Sequence, residues 1–167
     1  MALGQSEPAK RTTFLNIKDG KVYARTPDGQ TSVYGYVEGV IKGISVKDRK
    51  TAAGAPFKDW FIEMADPDTG DAYTLAIGYR SGVMISIVLS LASDIENVNK
   101  TVRIEPYTKG QYTNVAVYLD GVKLDWLTRD LPPVEYQEIA GQRIKNDAAR
   151  LQYVHDLVNR INERLKQ

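Results

Sequence analysis

SVYGYVEGVIKGISVK, residues 32–47, is a run of β-branched and aromatic residues punctuated by Gly35, Gly39 and Gly43. Strict alternation places Val33, Val37 and Ile41 on one face, whereas Val40, Ile44 and Val46 fall on the other, so the phase slips near Gly39. A slip at glycine inside a long strand is what a bulge or sharp coil produces. A first strand that bends to serve both halves of a small barrel needs such a feature.

Downstream, Trp60, Ile62 and Met64 alternate with Asp59, Phe61 and Glu63, giving a second strand over 57–65. The turn Asp66-Pro67-Asp68-Thr69-Gly70 hairpins it to a third over 72–79, where Tyr73, Leu75, Ile77 and Tyr79 share a face. Ser81 suits the N-cap of a helix over 82–91, with Val83, Met84, Ile87, Val88 and Leu91 at helical spacing. Residues 101–107 and 112–119 supply the fourth and fifth strands, and Asp120-Gly121 turns the chain into 122–126. Three strands, a helix and two strands, led by a long bent first strand, is the order of the OB fold. The expected architecture is a mainly β five-stranded Greek-key barrel over 32–127.

Upstream, FLNIKDGKVYAR sets two apolar runs about Asp19-Gly20, a pair suited to a type I′ turn, so 14–31 reads as an N-terminal hairpin. Residues 1–13 lack periodicity and read as disordered. Residues 128–145, with Pro132-Pro133 and little apolar periodicity, read as an extended linker. In 146–167, Leu151, Val154, Val158, Ile161 and Leu165 alternate in steps of three and four behind Asn146 or Asp147 as cap, the pattern of an amphipathic helix. That helix either folds back over the barrel or pairs with a second copy.

The chain has no cysteine, which removes disulfides, thiolate zinc sites and cysteine nucleophiles and suits a reducing, cytoplasmic setting. The longest apolar stretch, 83–92, is too short to span a bilayer, so no membrane association is expected. His155 is the only histidine, and no nucleophile elbow, phosphate-binding loop or metalloprotease motif is present. Asp66, Asp68 and Asp71 lack the ligand spacing of a calcium loop and read as a solvated turn. The expectation is a binding protein, not an enzyme, with no metal or cofactor.

Ten tyrosines give the chain its character, several of them opposite the inferred core face. Exposed aromatics on a sheet form stacking platforms for bases, worth about 1–3 kcal/mol per base, while nearby cations follow phosphates. Each tyrosine also suits a strand simply as a packing residue. Lys47, Arg49, Lys50 and Lys58 bracket the loop between the first two barrel strands, and Lys109 lies between Tyr107 and Tyr112 in the loop between the last two. OB folds grip oligonucleotides with those two loops. Net charge is only +1, and 33–126 holds ten basic against twelve acidic residues, so any polyanion site must be a local patch.

Read as an ordered series, FLNIKDGK, YGYVEG, FKDWFIEM, YTLAIGYRSG, RIEPYTKGQYTNVAVY and DGVKLDW make the chain resemble small OB-fold single-stranded-DNA-binding proteins of phages, prophages and gut bacteria. The resemblance implies stacking by Tyr34, Tyr36, Trp60, Phe61, Tyr107 and Tyr112, with Lys47, Arg49, Lys50, Lys58, Arg103 and Lys109 on the phosphate backbone. Trp60 sits on the inferred core face, which speaks against its transfer. The chain ends Asn-Glu-Arg-Leu-Lys-Gln and lacks the acidic tail with which replication-type relatives recruit partners. Single-stranded DNA or RNA is thus the expected partner. A protein-interaction or assembly module built on the C-terminal helix is the main alternative, and an oligosaccharide module the third.

Overall fold

The structure, a computed structural model, describes residues 12–25, 29–127 and 131–167. Of the segment 1–13 expected to be disordered, residues 1–11 lie outside them, whereas Thr12 and Thr13 belong to a strand.

The strands are β1 (Thr12–Lys18), β2 (Lys21–Arg25), β3 (Thr31–Tyr34), β4 (Val37–Lys50), β5 (Pro56–Ala65), β6 (Ala72–Gly78), β7 (Thr101–Lys109), β8 (Tyr112–Leu119), β9 (Val122–Lys123), β10 (Glu135–Ile139) and β11 (Gln142–Asn146). Helix α1 (Gly82–Ala92) lies between β6 and β7, and α2 (Ala148–Leu165) ends the chain. Nine strands form one sheet in the order β3-β2-β1-β6-β5-β4-β7-β8-β9.

β4 is the hinge of this sheet. Its first residues pair with β7, from Val37 opposite Ile104 to Val40 opposite Thr101, and the remainder pairs with β5 as far as Lys50 opposite Pro56. The ladder shifts between Ile41 and Gly43, making Lys42 the extra residue of a bulge, so Ile41 and Ile44 both face the core. The expected slip is therefore real but lies three residues beyond Gly39. Gly39 instead permits close approach of β5, since a Cβ there would stand 2.7 Å from the Ala65 carbonyl oxygen. The run 32–47 is also two strands, broken at Gly35-Tyr36, and Val33 is exposed rather than inward.

The expected closed five-stranded barrel does not form. Closure would require β6 to pair with β8, but β1 occupies the free edge of β6 in parallel, from Thr12 opposite Ala72 to Asn16 opposite Ala76. β2 and β3 extend the sheet beyond it, so β1, β2 and β3 are consecutive antiparallel strands of the main sheet and not a separate hairpin. The gap is bridged by side-chain contact: the Gly20 amide donates to Thr113 Oγ1 at 3.1 Å, fixing the Asp19-Gly20 turn against the β7–β8 tip. Asp19 and Gly20 both have positive φ, as a type I′ turn requires.

The core side of the sheet is covered by α1, which buries Met84 and every residue from Ser86 to Leu91. Its N-cap is Ser81, whose hydroxyl accepts from the Val83 amide, and the buried Ser90 hydroxyl donates to Ser86 O at 2.7 Å. α2 folds back over α1 and β4, burying Val154, Leu157, Val158 and Ile161, while Leu151 and Leu165 are half-buried. Its apolar stripe is consumed within the chain. Asn162 completes this packing: its Oδ1 accepts from the Ile44 amide at 3.0 Å and its Nδ2 donates to Ile44 O at 2.8 Å. β4 has left β7 at this point, so one asparagine side chain stands where a neighbouring strand would.

The linker expected over 128–145 is replaced, from Glu135 onward, by a hairpin of β10 and β11 turning at Ala140 and Gly141, both at positive φ. No helix among the described residues is long and apolar enough to cross a membrane.

Candidate nucleic-acid interface

Alternation fixes which side chains leave the core. In β5, Trp60, Ile62 and Met64 are buried, so Phe57, Asp59, Phe61 and Glu63 point outward. Register carries this face across the sheet: Lys47 and Arg49 from β4 lie opposite Asp59 and Phe57, and β6 presents Thr74, Ala76 and Gly78. β1 adds Phe14, Asn16 and Lys18, and β2 adds Lys21, Tyr23 and Arg25.

The small residues of β6 let aromatic rings on its two neighbours meet. Phe14 and Phe61 make an edge-to-face pair with centroids 5.7 Å apart, covering Thr74 and Ala76. The Arg49 guanidinium lies 5.5 Å from the Phe57 centroid and 5.6 Å from that of Phe61, and its Nη1 donates to Asp59 Oδ2 at 2.7 Å. Asp59 thereby holds the guanidinium over the rings. Phe14 and Phe57 remain exposed and Phe61 half-exposed, so the faces of this band are open to solvent.

The charges of this face differ from those of the chain. Lys18, Lys21, Arg25, Lys47 and Arg49 stand against Asp59 and Glu63, and Asp59 is paired. The outward face of the other half is balanced. There Arg103 Nε donates to Glu38 Oε2 at 2.9 Å and its guanidinium sits 4.2 Å from the Tyr36 centroid. The Glu38 hydrogen bond raises the Arg103 pKa, so this cation is already engaged by a neighbouring carboxylate.

The residues singled out in the sequence are thus dispersed. Lys47, Arg49 and Phe61 lie on the outer face, and Lys50 is exposed at the end of β4. Lys58 is on the opposite side, over the Tyr79 ring at 5.9 Å and near Asp48. Tyr34 lies opposite Val22 at the sheet edge, whereas Tyr36 and Arg103 belong to the balanced face. Tyr107, Lys109 and Tyr112 form the β7–β8 tip. Trp60 is 1% exposed and donates its indole N–H to Tyr79 O at 3.1 Å, which rules it out as a stacking platform. His155 packs on Trp60 with centroids 4.8 Å apart and shares a 2.6 Å hydrogen bond with the Tyr79 hydroxyl, docking α2 on the sheet. The Asp66 carboxylate accepts from the Asp68 and Thr69 amides within its own turn.

Phe14, Tyr23, Phe57, Lys18, Lys21 and Arg25 were not anticipated as site residues. Alternation within FLNIKDGKVYAR does place Phe14, Asn16 and Lys18 on one face, but only the β1–β6 pairing brings them beside Phe61. No protein-family model, curated protein or solved structure matches the chain.

Proposed function

We propose that this protein binds single-stranded nucleic acid, DNA in the first instance, with little sequence preference, across the outer face of β4, β5, β6, β1 and β2. The observation that carries the reading is the Arg49–Phe57–Phe61–Phe14 band: three rings and a guanidinium held on rigid strands, rimmed by unpaired lysines. Bases stack on such rings regardless of sequence, and the cations follow the phosphates. The order of β4, β5, β6, α1, β7 and β8 is OB-type, and the face of the second and third strands is where OB modules take oligonucleotides. In this chain the N-terminal meander widens that face instead of a closing strand pair. The role is binding without catalysis, in keeping with a cytoplasmic protein.

Three to five neutralised phosphates correspond to a log–log salt slope of about −2 to −3.5 for a single strand. Fluorescence anisotropy of labelled oligo-dT should therefore show binding that weakens about 20- to 130-fold when salt rises fourfold. Absence of binding at low salt, or binding indifferent to salt, would overturn the proposal.

A further inference from the structure

A second feature lies at the β7–β8 tip. Tyr112, 77% exposed, and Trp126, 45% exposed, line a cleft of about 630 Å³ between the tip and the first turn of α1. That volume falls within the range of about 300–1,000 Å³ typical of small-ligand sites. None of the residues lining it is acidic, and Lys109 stands at its rim. Its floor is ordered: Asn114 Oδ1 accepts from the Ser86 hydroxyl at 2.8 Å and from the Val115 amide at 2.9 Å. With its carbonyl oxygen so held, Asn114 turns its amide N–H₂ into the donor it can offer a ligand. The tip is also the border with the proposed binding face, because Thr113 receives the Gly20 amide of the β1–β2 turn that carries Lys18 and Lys21.

We infer that this cleft receives one unstacked nucleobase of the strand bound across the outer face, stacked on Tyr112 or Trp126, with Lys109 on its phosphate and the Asn114 amide facing the acceptors of the base edge. The inference rests on the single-strand reading above. An aromatic pair beside a cation and an amide donor, without a carboxylate, is complementary to a base attached to an anionic backbone. A neutral sugar would have no use for Lys109 in that position.

Trp60 is 1% exposed, so a change in tryptophan emission on adding ligand reports Trp126. Oligo-dT should quench that emission with the same midpoint as the anisotropy change. Trp126→Phe should abolish the quench, and Tyr112→Ala should weaken binding by roughly five- to a hundredfold. Binding by anisotropy with unchanged emission and an unaffected Tyr112→Ala variant would overturn the cleft assignment while leaving the outer face standing. Undiminished binding in Phe14→Ala with retained quenching would instead overturn the outer-face reading. If dTMP alone quenches Trp126 and oligo-dT does not displace it, the cleft belongs to a free nucleotide and the inference fails. No interaction of oligo-dT with the wild-type chain would overturn both.

Discussion

Replacing Asn162 by alanine is the sharpest test of how α2 and the sheet depend on each other. The side chain makes two hydrogen bonds, 3.0 Å and 2.8 Å long, to the amide and carbonyl of Ile44, beside the Lys42–Gly43 bulge. Each contributes about 0.5–1.5 kcal/mol net, so the pair accounts for about 1–3 kcal/mol. Asn162 is only partly buried, so water can enter where its side chain was and re-solvate the Ile44 backbone, which favours the middle of that range, about 2 kcal/mol. For a chain of this size the melting temperature should fall by about 4–8 °C. Urea unfolding followed by circular dichroism should show a lower midpoint at an unchanged m value, and the Ile44 amide should exchange faster with deuterium. Asn162→Asp should be no better: it keeps an acceptor for the amide but sets a carboxylate oxygen against the Ile44 carbonyl. If Asn162→Ala stays within about 0.5 kcal/mol of wild type and Ile44 exchange is unchanged, the side chain does not stand in for a missing strand.

Three further outcomes follow from the same geometry. Lys18→Ala and Lys47→Ala should each flatten the salt slope of oligo-dT binding by about 0.7, read from anisotropy titrations across a salt series. Tyr79→Phe removes the 2.6 Å hydrogen bond to His155 and should cost about 0.5–1.5 kcal/mol in urea unfolding, while leaving oligonucleotide affinity within about twofold. Burial, then the Asp71 and Asp66 carboxylates and the neighbouring Tyr34, raise the Tyr73 pKa above the ordinary phenol value. The folded chain thus favours the neutral phenol more than the unfolded chain does. Its contribution to stability is complete below about pH 10 and is lost as pH climbs through the raised value, so Tyr73→Phe should lessen the fall in urea midpoint above pH 10.

Much of the fold is legible because alternation is a local property. Trp60, Ile62 and Met64, or Val115 and Val117, announce their strands without reference to anything distant, and the serine before α1 and the 3–4 spacing of α2 do the same for the helices. The partner of β6's free edge is a long-range choice that no local pattern encodes. Phe14 therefore reads as part of a detached hairpin although it packs on Phe61. The glycine-rich run 32–47 misleads for a related reason. Gly35 ends a strand, Gly39 admits a neighbouring carbonyl and Gly43 adjoins the bulge, three different uses of one residue type. The hairpin of β10 and β11 stays hidden because every residue but Asn146 is exposed, so it has no apolar alternation to display. Tyrosine drew attention as the stacking residue, whereas the band is built mainly of phenylalanine. Phe57 alternates with the core residues of β5 just as Phe61 does, so the same local pattern marks both.

The decisive comparison sets one face of the sheet against the other. Oligo-dT binding by anisotropy at low salt should be weakened by about 1–3 kcal/mol per lost stack, giving about a thirtyfold or greater loss in the Phe14→Ala, Phe61→Ala double variant, provided circular dichroism shows it folded. The Tyr36→Ala, Arg103→Ala double variant on the balanced face should bind within about threefold of wild type, since no stack is removed there. A folded Phe14→Ala, Phe61→Ala protein that binds like wild type, or a larger loss from the Tyr36 and Arg103 pair, would contradict the assignment of the site.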